Sequence, residues 1–196
     1  MASLMAAVDD GGALRLRWTL EALEQALAQD SLDPDGHYEI LNGELYRKIG
    51  QDWPHSFALS ALIRVFTRAV DESPAYVSAQ QPVRVGSDAP EPDLAVISGP
   101  LDARQGHPEA SDTLLVVEVA ASSILRDRSI KAPIYAAGRA PVYWIVDLNA
   151  SQVEVYTRPA SGMYSEVRVF SYADELPIPF PGGPVVQVKD LIAPEP

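Results

Sequence analysis

Apolar residues recur at helical spacing in two early stretches of the chain. Leu20, Leu23 and Leu27 share one face of a short helix that Thr19 is placed to cap, and the turn-rich residues 31–36 end it. The stretch 56–70 carries Ala58, Ala61, Leu62, Val65, Phe66 and Ala69 on one face, with Arg64 and Arg68 on the other. Between the two, 38–41 and 44–49 flank Asn42-Gly43, which predicts a hairpin. Beyond residue 70 the pattern turns to strands at 76–85, 94–97, 114–119, 142–146, 152–157 and 163–170, with an edge strand at 185–188. A helical segment at 126–138 interrupts them. Pro133 within it delays the regular helix or kinks it, and Gly138 stops it. Trp144 sits with Val142 and Val146 on one face of its strand while Tyr143 and Ile145 take the other, so both faces are expected to be covered. Residues 177–184 (PIPFPGGP) read as an irregular crossing and residues 1–12 as loose.

This order of elements predicts an α/β (α+β) chain, a mixed β-sheet flanked by helices, in one domain spanning 1–196. It is not a regular βαβ repeat and has no glycine-rich phosphate loop, which argues against a nucleotide-binding doubly wound fold.

Composition narrows the chemistry. With no cysteine, disulfides and thiolate metal sites are excluded, and a bound metal would be a hard ion such as Mg²⁺ or Mn²⁺. No apolar run approaches the roughly 18 residues of a membrane span, and the N-terminus lacks the basic start of a signal peptide; a cytoplasmic protein without membrane partners is expected. The net charge of −12 argues against strong nonspecific nucleic-acid binding, though it leaves room for a local basic groove or for divalent cations at an acidic site.

Two acids stand out by position. Asp93 follows Pro92 and opens the apolar run 94–97, and Glu118 lies inside the apolar run 114–119. A carboxylate in a buried strand is costly unless paired or bound to a cation. Two on neighbouring strands could share a divalent ion, which activates water and stabilises charge on a phosphoryl oxygen. Each acid alone also reads as a strand-end or salt-bridged residue.

The pattern Pro92-Asp93, then Val117-Glu118-Val119-Ala120, resembles the split motif of PD-(D/E)XK nucleases. More closely, the chain resembles the Uma-type family of restriction-endonuclease-like proteins. The resemblance runs through residues 38–45, His55, 81–83, 90–96, 115–120, Ser122-Ser123, Asp127, Lys131, 135–138 and 143–147. It implies a nuclease-like core binding Mg²⁺, with Mn²⁺ as a substitute. Asp93, Glu118 and the backbone carbonyl of Val119 would be the ligands.

The superfamily motif has a lysine two residues after the glutamate, where this chain has Ala120. The resemblance assigns that role to Lys131, reaching back from the following helix; Asp127 and Lys131 also stand i, i+4, the spacing of a helix-surface ion pair. Glu44, from the family's Gly-Glu pair, is chosen over Glu39 as an accessory acid, and reads equally as a solvated hairpin residue. Glu91 would share a face with Asp93 if strand alternation reached it, or be a loop acid. His55, at a helix start, either contacts phosphate or simply caps or packs. Arg64 and Arg68 form a phosphate-facing stripe or, more in keeping with so acidic a chain, pair with carboxylates.

The resemblance thus implies a metal-dependent endonuclease acting on nucleic acid, with DNA expected, as a homodimer. Ala120 and the charge of −12 favour a competing reading, a catalytically inactive nuclease-fold binding or assembly module. Hydrolysis of a small phosphoester is a third.

Overall fold

The computed structural model describes residues 5–8, 14–48, 50–71, 74–179 and 184–193. The chain opens with a small antiparallel pair, β1 (Met5–Val8) and β2 (Leu14–Arg17). This corrects the expectation of a loose 1–12: four of those residues are held in a ladder, and the others lie outside the described residues. Helix α1 (Leu20–Ala28) follows, with the Thr19 hydroxyl accepting from the Ala22 amide at 3.2 Å as expected. The hairpin of β3 (Tyr38–Leu41) and β4 (Glu44–Arg47) turns at Asn42-Gly43, both at positive φ. Helix α2 (Trp53–Ala69) begins three residues earlier than its apolar stripe. Asp52 caps it by accepting from the His55 amide, and Pro54 fits the first turn, where its missing N–H costs nothing. Arg64 and Arg68 lie exposed on its outer side, and neither forms an ion pair among the described residues.

The main sheet then forms from β5 (Ala75–Ala79), β6 (Leu94–Ser98) and β7 (Thr113–Ala120). The strand predicted at 76–85 stops at Ala79. Gln80 has positive φ and Pro82 offers no donor, so residues 80–93 run as a loop bridged to the hairpin through Ile40 and Ala89. After β7 come a short helical turn α3 (Ile124–Arg126), a π-helical turn at Asp127–Lys131 and α4 (Ala132–Ala137). Pro133 is the physical cause: its ring clashes with a regular ladder behind it, so the α-helix restarts at Ala132 with Pro133 in the first turn. The chain closes with β8 (Val142–Asp147), the long hairpin β9 (Gln152–Ala160) and β10 (Met163–Ser171), and a small pair, β11 (Glu175–Pro177) and β12 (Val185–Gln187). Of the expected crossing at 177–184, residues 180–183 lie outside the described residues.

The sheet order is β10-β9-β8-β7-β6-β5. Only β7 and β8 run parallel, which requires the crossover that α3, the π turn and α4 supply. Both central strands are buried on both sides, as their apolar runs predict. On one face Phe66, Leu62 and Ala58 of α2 pack against Leu94, Val117 and Trp144. On the other, Tyr135 and Ala132 of α4 pack against Val116, Ala120, Tyr143 and Ile145. Helix α1 and the first hairpin form a smaller core of Leu20, Leu23, Tyr38 and Ile40. No helix among the described residues is long and apolar enough to cross a membrane.

Candidate active site

Strand register brings the two acids together. Leu94 pairs with Val117 in the antiparallel β6–β7 ladder, and one further step places Asp93 beside Glu118. Glu118 alternates with Val116 and Ala120, so it points to the α4 face, against the crossover. Both carboxylates are almost fully buried, yet both line an open cleft of about 370 Å³.

Each acid is held by named donors. Asp93 Oδ2 accepts from the Val119 amide at 2.8 Å and lies 3.2 Å from His55 Nε2; Oδ1 accepts from Lys48 Nζ at 3.1 Å and from Gln51 at 3.4 Å. Burial opposes the charge of Asp93, but His55, Lys48 and the Val119 amide together hold its carboxyl well below the usual carboxylate range. Glu118 Oε1 accepts from Tyr135 Oη at 2.9 Å and lies 3.0 Å from Lys131 Nζ. Burial pushes the Glu118 carboxyl up and the nearby charges of Asp93 and Asp127 add to it; Lys131 offsets only part.

Lys131 reaches this point from the π turn, which directs both of its charged end residues, Asp127 and Lys131, inward. Its ammonium is 2.8 Å from Glu39, 3.0 Å from Glu118 and 3.8 Å from Asp127. Burial opposes the ammonium, but the three carboxylates keep it charged, well above the usual lysine range. The i, i+4 pair with Asp127 is therefore present and is the longest of the three contacts.

The structure thus gathers Asp93, Glu118, Val119, Lys131 and His55 into one cleft. It does not bring in Glu44 or Glu91. Glu44 stands exposed at the turn end of the hairpin and accepts from Tyr46 Oη at 2.9 Å; the acid that enters the cleft is Glu39, further from the turn. Glu91 lies between Pro90 and Pro92, outside any strand, so alternation does not extend to it. Its carboxylate faces His37, 2.9 Å away, with the Lys48 ammonium at 3.8 Å, and lines a separate cavity with His37 and His107.

Glu39 carried a signal: it interrupts a short, otherwise apolar strand, as Glu118 does. Lys48, Gln51 and Arg126 carried none, since each enters the cleft through loop or crossover geometry. Tyr135 entered the sequence reading only within the 135–138 segment of the resemblance, with no role attached.

The donor set suits a hard divalent ion. Mg²⁺ is commonly bound through one or two carboxylates, with water and substrate phosphate completing its shell, and Asp93 and Glu118 supply such a pair. Among the described residues no group of three or more histidine and acidic side chains is arranged to enclose a metal, so any ion here would depend on solvent or substrate ligands.

A mixed sheet with an aspartate at the head of one strand, a glutamate on the next and a lysine at their side defines a restriction-endonuclease-like nuclease fold. Residues 20–188 match the Uma2 family, described as "Putative restriction endonuclease", and the chain belongs to that family. Among solved structures it is similar to a protein of Anabaena variabilis ATCC 29413 described as "a putative nuclease belonging to DUF820". The two share 18% identity with a TM-score of 0.63, over 79% of this chain and 88% of the other. No curated protein matches the chain.

Proposed function

We propose that this protein is a Mg²⁺-dependent endonuclease that hydrolyses phosphodiester bonds of nucleic acid, with DNA as its substrate. One observation carries the reading: Asp93, Glu118 and the Lys131 ammonium converge in a single open cleft, with Lys131 arriving from the crossover where the strand itself offers only Ala120. Asp93 and Glu118, with the Val119 carbonyl, would hold Mg²⁺ or Mn²⁺. The ion supplies activation of water and neutralisation of charge on the phosphoryl group.

The chain's own residues do the rest. Lys131 places a permanent positive charge beside Glu118, where it stabilises negative charge developing on phosphate and orients the attacking water. Glu39 and Asp127 fix that ammonium, Tyr135 fixes the Glu118 carboxylate, and His55 and the Val119 amide orient Asp93. Arg47 and Arg126 line the same cleft and offer phosphate contacts despite the acidic surface. Trp53, 74% exposed between the cleft residues Asp52 and His55 in sequence, offers a ring on which a base can stack.

A second reading, a nuclease-fold binding module, is favoured by the same carboxylate: both oxygens of Asp93 already carry protein partners. Calorimetric titration of Mg²⁺ and Mn²⁺ into the wild type, Asp93→Asn and Glu118→Gln separates the two, alongside cleavage assays on plasmid and oligonucleotide. The endonuclease requires binding and cleavage in the wild type, both lost in the variants. A folded wild type that binds neither ion, with or without oligonucleotide, leaves the binding module.

A further inference from the structure

Among the described residues, the outer strand β10 hydrogen-bonds within the sheet to β9 alone. Such an edge is a template for another strand, and proteins blunt it with lysine, proline or a short length. β10 has none of these: it runs for nine residues, MYSEVRVFS. Three of its apolar side chains are exposed, Met163 at 67%, Val167 at 50% and Val169 at 53%.

The charges on this strand have a particular order. Glu166 and Arg168 flank Val167 and share one face, where Arg168 Nη2 lies 2.9 Å from Glu166 Oε1. Arg158 of β9 lies 3.2 Å from the other Glu166 oxygen, so the glutamate is already oriented. In an antiparallel pair related by a two-fold axis through Val167, residue numbers of opposed positions have a constant sum. Val167 then meets Val167 of the second copy. Glu166 meets Arg168 of the second copy, and Arg168 meets Glu166, while Val169 opposes Ser165. An edge of one sign would repel its own copy; this one presents both signs in the order that a two-fold pairs.

We propose that β10 is a homodimer interface, in which two copies pair edge to edge through a two-fold axis at Val167 and continue the sheet across both molecules. The interface lies away from the candidate active site: Asp93 immediately precedes β6, Glu118 lies in β7, and β8 and β9 stand between them and β10. The proposal therefore holds or fails independently of the nuclease reading.

The test is sedimentation velocity on the full chain across the micromolar range, with circular dichroism confirming that each variant is folded. The wild type is expected at twice its 21.2 kDa chain mass. Glu166→Arg and Arg168→Glu each set like charges against each other across the axis and are expected to be monomeric. Mixed in equal amounts they restore opposite charges at both positions, and a dimer containing one copy of each is expected. A wild type that stays monomeric overturns the proposal. So does a dimer that survives both single variants and Val167→Asp, and so does a mixture that stays monomeric.

Discussion

Lys131 is where the chemistry and the stability of this protein meet. Its ammonium is buried among Glu39, Glu118 and Asp127. Removing one partner of a buried charge cluster leaves the others uncompensated, at a cost of about 3–5 kcal/mol. Lys131→Met is therefore expected to lower unfolding free energy by that amount in urea and to reduce cleavage about 10²–10³-fold, the loss typical of one charge-stabilising donor. Glutamates 39 and 44 make a sharper comparison. Glu39→Gln is expected to lose both stability and cleavage, because it loosens Lys131, whereas Glu44→Gln should remain within about 0.5 kcal/mol of the wild type and cleave normally. Equal cleavage in the two variants would dissociate Glu39 from the site. Asp93 and Glu118 were noticeable because each is an acid at or within an apolar run, whereas Lys131 was reached only through the family resemblance. That resemblance misdirected the choice between the hairpin acids because a Gly-Glu pair says nothing about which side chain reaches the cleft. Lys48 had no signal at all: it meets Asp93 only because the hairpin and the 80–93 loop are bridged at Ile40 and Ala89.

At the scale of elements, what periodicity can express was legible. The two amphipathic helices, the Asn-Gly hairpin and the two-sided central strands all follow from spacing and turn chemistry. Breaks within an element were harder to read. Positive φ at Gln80 ends β5 early, and Pro133 announced an interruption without saying that it would take the form of a π turn. The start of α2 also has a functional side. Asp52 caps the helix from which His55 reaches Asp93, so the cap positions a cleft residue as well as a helix. Asp52→Ala should destabilise the protein by about 1 kcal/mol, read as a lower Tm. An unchanged Tm would mean that the first turn is held by Pro54 and packing alone.

For the whole molecule the governing fact is a net charge of −12 around a cleft that holds Arg47, Lys48, Arg126 and Lys131. Affinity for nucleic acid should then rest on few phosphate contacts and depend only weakly on salt. Arg126→Ala is expected to shrink the slope of log K against log salt by about one; an unchanged slope would place the phosphates elsewhere. A second ion pair between the crossover and the sheet sets part of the acid limit. Burial opposes the charge of Glu154, but hydrogen bonds from Arg128 and Tyr156 hold it below the usual carboxylate range. A carboxyl lowered in the fold adds stability above its unfolded value, and that stability is lost as pH falls through the folded one. Glu154→Gln should therefore be less stable than the wild type at neutral pH, with the difference narrowing in acid; a constant difference across pH would remove the ion pair as the cause.

The π turn has a consequence for how this chain can change length. A π turn holds one residue more than the α turn it replaces, and each residue advances a helix by about 100°. Deleting one residue between Asp127 and Lys131 would regularise the backbone while rotating one end of the turn about a quarter-revolution against the other. Either the lysine would leave the carboxylates or Tyr135 would leave the sheet. Single-residue gaps here should therefore be purged in descendants of this protein.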